Sequence, residues 1–103
     1  MTIQFSEPAA SDLANIKRYH AEYAGADVAG ELTNRIVTTL ERLIARNPGA
    51  GRRRPEFGSQ VRSFPVLPYI VFYRAERNRV YVVRILHGHR NIQRPLASLL
   101  LAM

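Results

Sequence analysis

The sequence contains no cysteine, which removes disulfide staples, thiolate metal sites and a thiol nucleophile from consideration. Its first residues, MTIQFSEPAASDL, carry no basic stretch leading into an apolar core, so no signal peptide is expected. No apolar run approaches the roughly 20 residues that a membrane-spanning helix needs. These absences fit a cytoplasmic protein with no membrane partner. The Gly-x-Ser-x-Gly elbow of serine hydrolases is missing. Gly49-Ala50-Gly51 precedes arginines instead of following a strand and opening a helix, so neither phosphate-cradling glycine pattern is met. Histidine is sparse: His20, His87 and His89 are the whole supply, and no third ligand of evident kind stands near the last two. No metal and no cofactor are therefore expected.

Acids are few and unevenly placed. Residues 1–45 hold Lys17, Arg18, Arg35 and Arg42 against six acids, a balance of about −2. Residues 46–103 hold eleven arginines against Glu56 and Glu76, about +9, and the sum is the chain's +7. Two carboxylates in that half leave little room for paired-carboxylate chemistry. Positive charge gathered on one half suits a polyanionic or acidic partner, although a solvated face gives the same count. Lys17 is the single lysine beside fourteen arginines; the guanidinium fork suits phosphate and carboxylate, and genomic base composition gives the same bias.

What is present suffices for one domain. At 103 residues, 47% of them hydrophobic, the chain can bury one core without staples. Ile3 and Phe5 alternate with polar residues as a short half-buried strand. Ser6 then reads as an N-cap, with Glu7 and Pro8 in the first turn. The helix that follows puts Ala9, Leu13, Ile16, His20 and Tyr23 on one face and leaves Asp12, Lys17 and Arg18 outside. His20 reads as a hydrogen-bonded residue of the core or its rim. Gly25 breaks the helix. A second one carries Val28, Leu32, Ile36, Leu40, Leu43 and Ile44 as an apolar stripe, and Asn47-Pro48-Gly49 stops it. Residues 49–59 form an arginine-rich loop, and 61–66 a strand that is an edge or bends at Pro65.

The hairpin built from Tyr69–Tyr73 and Val80–Leu86 anchors the second half. A three-residue loop with Asn78 in the left-handed conformation is expected, which pairs Ala75 with Arg79 and puts Arg74 and Arg84 on one sheet face. The tail from Pro95 reads as a short helix rich in leucine. The fold class is α+β, in the order β-α-α-β-β-β, with a helical hairpin on one face of a mostly antiparallel sheet.

The one constellation left for chemistry is Arg52, Arg53, Arg54, Arg62, Arg74, Arg84, His87, His89 and Arg90. Arginines around a histidine suit RNA phosphodiester cleavage, where cations stabilise the pentavalent anion and the imidazole moves protons. They suit docking on a phosphate backbone or an acidic protein equally well. On the residues alone, these readings stay open.

Three motifs in order then carry a resemblance: IQFSEPAASDLANIKRYH, with its A-x-x-D-L-x-x-I-x-x-Y spacing, NPGAGRRRPEFGSQVRSFPVLPYIVFYR, and VYVVRILHGHRN. Over nearly its whole length the chain resembles the ParE/RelE superfamily of toxins from type II toxin–antitoxin systems, and within it the ParE branch. That resemblance implies a growth-arresting cytoplasmic toxin of plasmid-stabilisation type, held by a cognate antitoxin in a heterodimer or heterotetramer. ParE-like members inhibit DNA gyrase by binding, whereas RelE-like members are ribosome-dependent mRNA endoribonucleases. The second activity would fall to Arg62, Arg84 and His87. No tyrosine follows Leu86, and arginines replace the lysines that the nucleases favour, so the resemblance implies a non-catalytic inhibitor. It implies target contacts at Arg52, Arg53, Arg54, Arg62, Arg74, Arg84, His87 and Arg90. Antitoxin contacts are expected at Leu13, Ile16, Tyr19, Leu96, Leu99 and Leu100.

Overall fold

A computed structural model describes residues 1–88. The expected tail helix from Pro95, with Leu96, Leu99 and Leu100, and the residues His89 and Arg90 lie outside the described residues.

The chain opens with strand β1 (Thr2–Phe5) and enters helix α1 (Glu7–Ala24) through Ser6. Ser6 Oγ accepts the Ala9 N–H at 3.0 Å, as an N-cap should, and donates to the Val83 carbonyl at 2.8 Å. The same residue's N–H donates to Val82 O at 3.0 Å. A local cap thus also fixes where α1 leaves the sheet. Ser6→Ala is expected to cost about 1–2 kcal/mol, read as a lower urea midpoint at unchanged slope; an unshifted midpoint would remove Ser6 from this role.

Gly25, at φ +96°, reverses the chain between α1 and helix α2 (Ala26–Thr39). Few other residues hold that angle without strain. The last turn of α2 widens over Leu40–Ile44, where the Ala45 N–H reaches Leu40 O at 2.8 Å. The stripe facing the sheet is Ala29, Leu32, Ile36, Leu40 and Ile44. Val28 and Leu43, expected in that stripe, are 46% and 40% exposed. Val28 stands one position, about 100°, off the buried row, and in the widened turn the residue four on from Leu40 stays in line. Tyr23 was expected inward and is 70% exposed, because residues 21–28 overhang the core together.

The sheet runs β1-β5-β4-β3-β2, with β2 (Arg52–Arg53), β3 (Val61–Val66), β4 (Tyr69–Ala75) and β5 (Arg79–His87). The expected order of elements holds. The arginine loop adds the two-residue strand β2, which pairs only with Arg62 and Ser63. Pro65 lies beyond that pairing, where its missing N–H costs no ladder bond. β1 runs parallel to β5, and the other pairings are antiparallel. Val71, Tyr73, Val80, Val82 and Ile85 meet the helices on one face. On the other face Phe57, Val61, Phe72, Val83 and Leu86 form a smaller cluster.

The β4–β5 register corrects the expected odd loop. Ala75 partners Val80, the Glu76 N–H donates to Arg79 O at 2.8 Å, and among the described residues only glycines have positive φ. Asn78 is therefore not left-handed; its carbonyl accepts from both the N–H and the hydroxyl of Thr2. An extra residue on β5, inserted opposite the Phe72/Tyr73 step, then shifts the register so that Arg84 partners Phe72, two positions from Arg74. By register the two arginines do share a face, but a bulge produces this and not the loop.

Candidate functional site

β1 pairs with β5 only as far as Val82, so the outer edge of β5 is uncovered beyond that point by any strand. Helix α1 covers it with Asp12. One carboxylate oxygen accepts from Arg84 Nε at 2.7 Å and from the Ile85 N–H at 3.0 Å, and the other accepts from the Arg84 terminal nitrogen at 2.9 Å. Both side chains are largely buried, at 12% and 14% exposure. The hydrogen bond to Asp12 raises the Arg84 pKa, with burial opposing and the carboxylate charge adding to the rise. Arg84 keeps its charge in this setting. Asp12, expected outside, is the group that sequence reasoning missed. Its signal was there: three after Ala9 and four before Ile16, it lies on the same helical face as those two buried residues.

Past this clamp a groove of about 470 Å³ opens between α1 and the ends of β4 and β5. Ile16, Ile85 and Tyr69 give it apolar surface, and Tyr19, His20 and His87 line it with rings. His20 Nε2 and Tyr69 Oη share a hydrogen bond of 2.9 Å, so His20 is the bonded rim residue its position suggested. Edge-to-face contacts link Tyr19 to His20 at 5.2 Å, His20 to Tyr69 at 5.9 Å and Tyr69 to His87 at 5.5 Å. Tyr19 also leans on Tyr23 at 4.8 Å. Burial pushes the Tyr69 phenol above its ordinary pKa, and the neighbouring Tyr19 phenol adds to the rise. The groove is thus largely aromatic, with an apolar floor of Ile16 and Ile85 and with Asp12 and Asn15 at its edge. Of the expected antitoxin contacts, Ile16 and Tyr19 meet here, Tyr19 at 56% exposure, together with His87 from the expected target set. Leu13 lines a separate, shallower groove between α1 and α2, beside Lys17 and Val37.

The arginines divide into tethered and free-standing groups. Arg54 stacks near Phe57 and Phe72, at 5.2 and 5.4 Å, and pairs with Glu56 at 3.1 Å. Arg74 pairs with Glu76 at 2.9 Å over the Tyr81 ring. Arg62 donates to Gly51 O at 2.9 Å and Gly49 O at 3.4 Å, pinning the loop that leads into β2. Tyr73 pins it from below: its hydroxyl donates to Pro48 O at 2.7 Å and accepts the Gly51 N–H at 2.8 Å. Burial raises the Tyr73 pKa, with the Gly51 N–H and Arg62 opposing, so the phenol stays neutral and can donate. Arg52 and Arg53 are exposed on this braced segment.

The set that RNA cleavage would need does not come together. Arg62 partners Tyr73 and His87 partners Tyr69. Four steps along β4 separate these positions, about 13 Å at the strand rise. Arg84 lies between them in register, with its guanidinium engaged by Asp12.

The family described as the ParE toxin of the type II toxin–antitoxin system parDE matches residues 3–92. Toxin ParE3 of Caulobacter vibrioides is 35% identical over 93 residues, spanning 90% of this chain and 92% of that protein. Among solved structures, a chain of the chromosomal ParDE TA system from P. aeruginosa is similar in fold, with a TM-score of 0.64 at 24% identity. That match covers 84% of this chain and 95% of the other.

Proposed function

Because the chain belongs to the ParE toxin family of type II toxin–antitoxin systems, we propose that it arrests growth by binding DNA gyrase and that a cognate antitoxin neutralises it in a hetero-oligomeric complex. One observation favours binding over catalysis. Arg62, Arg84 and His87 are held apart, and each cation is already engaged by groups of its own protein. Phosphodiester cleavage asks for those groups within hydrogen-bond reach of one phosphate. A gyrase target also places the toxin in the cytoplasm; among the described residues no helix is long and apolar enough to cross a membrane. The test is a supercoiling assay with purified toxin. Inhibition at micromolar toxin or below is expected. Unaffected gyrase, with new mRNA 5′ ends in translating cells, would overturn the reading in favour of the ribosome-dependent endoribonuclease.

The antitoxin's place is the groove lined by Ile16, Tyr19, Tyr69 and His87. Exposed aromatic surface beside a concave apolar floor is the usual anchor of a tight protein interface. Tyr19→Ala is expected to leave the unfolding midpoint in place and weaken antitoxin binding at least about tenfold, by the scale of tyrosine hot spots. Isothermal titration with the antitoxin checks this, and unchanged affinity would move the interface elsewhere.

A further inference from the structure

We propose that the arginine end of the molecule, centred on β2, is a docking surface for the phosphate backbone of duplex DNA. The inference rests on the gyrase reading only for its setting: these arginines meet the DNA that the enzyme holds, and not the enzyme's own surface.

The ion pairs among the described residues join Arg54, Arg74, Arg79 and Arg84 to acids. Arg42, Arg46, Arg52, Arg53 and Arg62 are in none of them. They follow one another along one stretch of the fold: Arg42 lies in the widened turn that follows α2, Arg46 just beyond it, and the chain turns through Pro48–Ala50 straight into β2, where Arg53 pairs with Arg62. The acids of this end are Glu41, which is exposed, and Glu56, which pairs with Arg54 and also feels the charge of Arg52. Arg53 and Arg62 are direct cross-strand partners. Like charges placed so destabilise a sheet, and the chain provides no carboxylate between them among the described residues. Tyr73, Arg62 and the stacked Arg54 nevertheless brace the segment against solvent. A rigid, self-repelling cationic edge is built for a counter-charge from outside.

The surface chemistry favours nucleic acid over an acidic protein. Tight protein interfaces need buried apolar or aromatic anchors, and among the described residues around Arg42, Arg46, Arg52 and Arg53 the large exposed apolar residue is Leu43 alone. Phosphate-backbone binding needs no such anchor. The aromatic groove that could anchor a protein lies at the other end of β4.

The test uses the full chain and a fluorescein-labelled mixed-sequence duplex, without gyrase, followed by anisotropy between about 50 and 200 mM salt. Contact with four or five phosphates predicts a slope of log affinity against log salt of about −4. Arg52→Ala with Arg53→Ala is expected to reduce that slope by about 2 and the low-salt affinity at least about tenfold. Lys17→Ala with Arg77→Ala removes the same charge elsewhere and is expected to change the slope by less than one. Equal losses in both double variants would reduce the effect to net charge and overturn the proposal. So would polyglutamate displacing the duplex as readily as unlabelled DNA does, or no binding at low salt. Folding is checked separately: Arg53→Glu, which sets an acid opposite Arg62, is expected to raise the melting midpoint by about 2 °C. A fall in that midpoint would remove the repulsion on which the proposal stands. A flat DNA titration beside intact supercoiling inhibition defeats this inference alone; DNA binding without inhibition defeats the gyrase reading alone.

Discussion

Asp12→Ala is expected to be among the most damaging single changes in the chain, at about 3 kcal/mol or more of folding stability. The substitution removes one carboxylate and strands the two groups that donate to it. Arg84 is left as a nearly enclosed cation, and the Ile85 N–H loses its acceptor at the uncovered edge of β5. The loss exceeds that of a surface ion pair, whose contribution is about 0–1 kcal/mol, because water cannot readily replace the carboxylate. Replacing both partners separates the two accounts. Asp12→Leu with Arg84→Met is expected to recover most of the stability, since an apolar pair leaves no stranded charge. Urea unfolding of the two single variants and the double variant measures the coupling. A single-variant cost below about 1 kcal/mol would mean that solvent screens the pair.

Gly51→Ala is the second. A methyl group there would overlap the Tyr73 hydroxyl, and would stand 2.7 Å from Tyr73 Cε1 and 2.9 Å from the Ser63 carbonyl oxygen. Tyr73 is fully enclosed and Ser63 belongs to a paired strand, so neither has space to yield. Overpacking of this kind costs about 1–3 kcal/mol, and displacing the phenol also leaves the Gly51 N–H and Pro48 carbonyl unsatisfied, about 1–3 kcal/mol more. Tyr73→Phe relieves the worst of the overlap. The double variant should therefore be more stable than the sum of the two single changes predicts; strict additivity would mean that the methyl group meets something other than the ring.

Local chemistry was legible in the sequence, and long-range chemistry was not. Ser6-Glu7-Pro8 announced the start of α1 and Gly25 its end, because caps and breaks act over a few residues. The alternation of β4 and β5 was equally plain, and with it the α+β order. The β5 bulge left no mark, since no glycine accompanies it and the insertion shows only against a partner strand. The Asp12–Arg84 clamp spans 72 positions, and the hydrophobic period treats any carboxylate as a residue for solvent. For the candidate site the same limit applies. The sequence groups the arginines by proximity in the chain, whereas the structure sorts them by what each guanidinium touches. Arg54, Arg62, Arg74 and Arg84 are engaged internally, and Arg52 and Arg53 stand out. Ile16 and Tyr19 line one groove, while Leu13 lines another between α1 and α2.

The position of β5 between β1 and β4 has a bearing on biosynthesis. Ile3 aligns with Val80, so the opening strand has no neighbour until nearly every described residue has been translated. Before that moment the helical pair has only β3 and β4 to cover, and its apolar stripe stays partly wet. Newly made polypeptide at this stage has the helical pair but not the finished sheet. A truncated product ending before Arg79 would lack both the parallel pairing and the Asp12 clamp, and its uncovered apolar stripe would make it prone to aggregate.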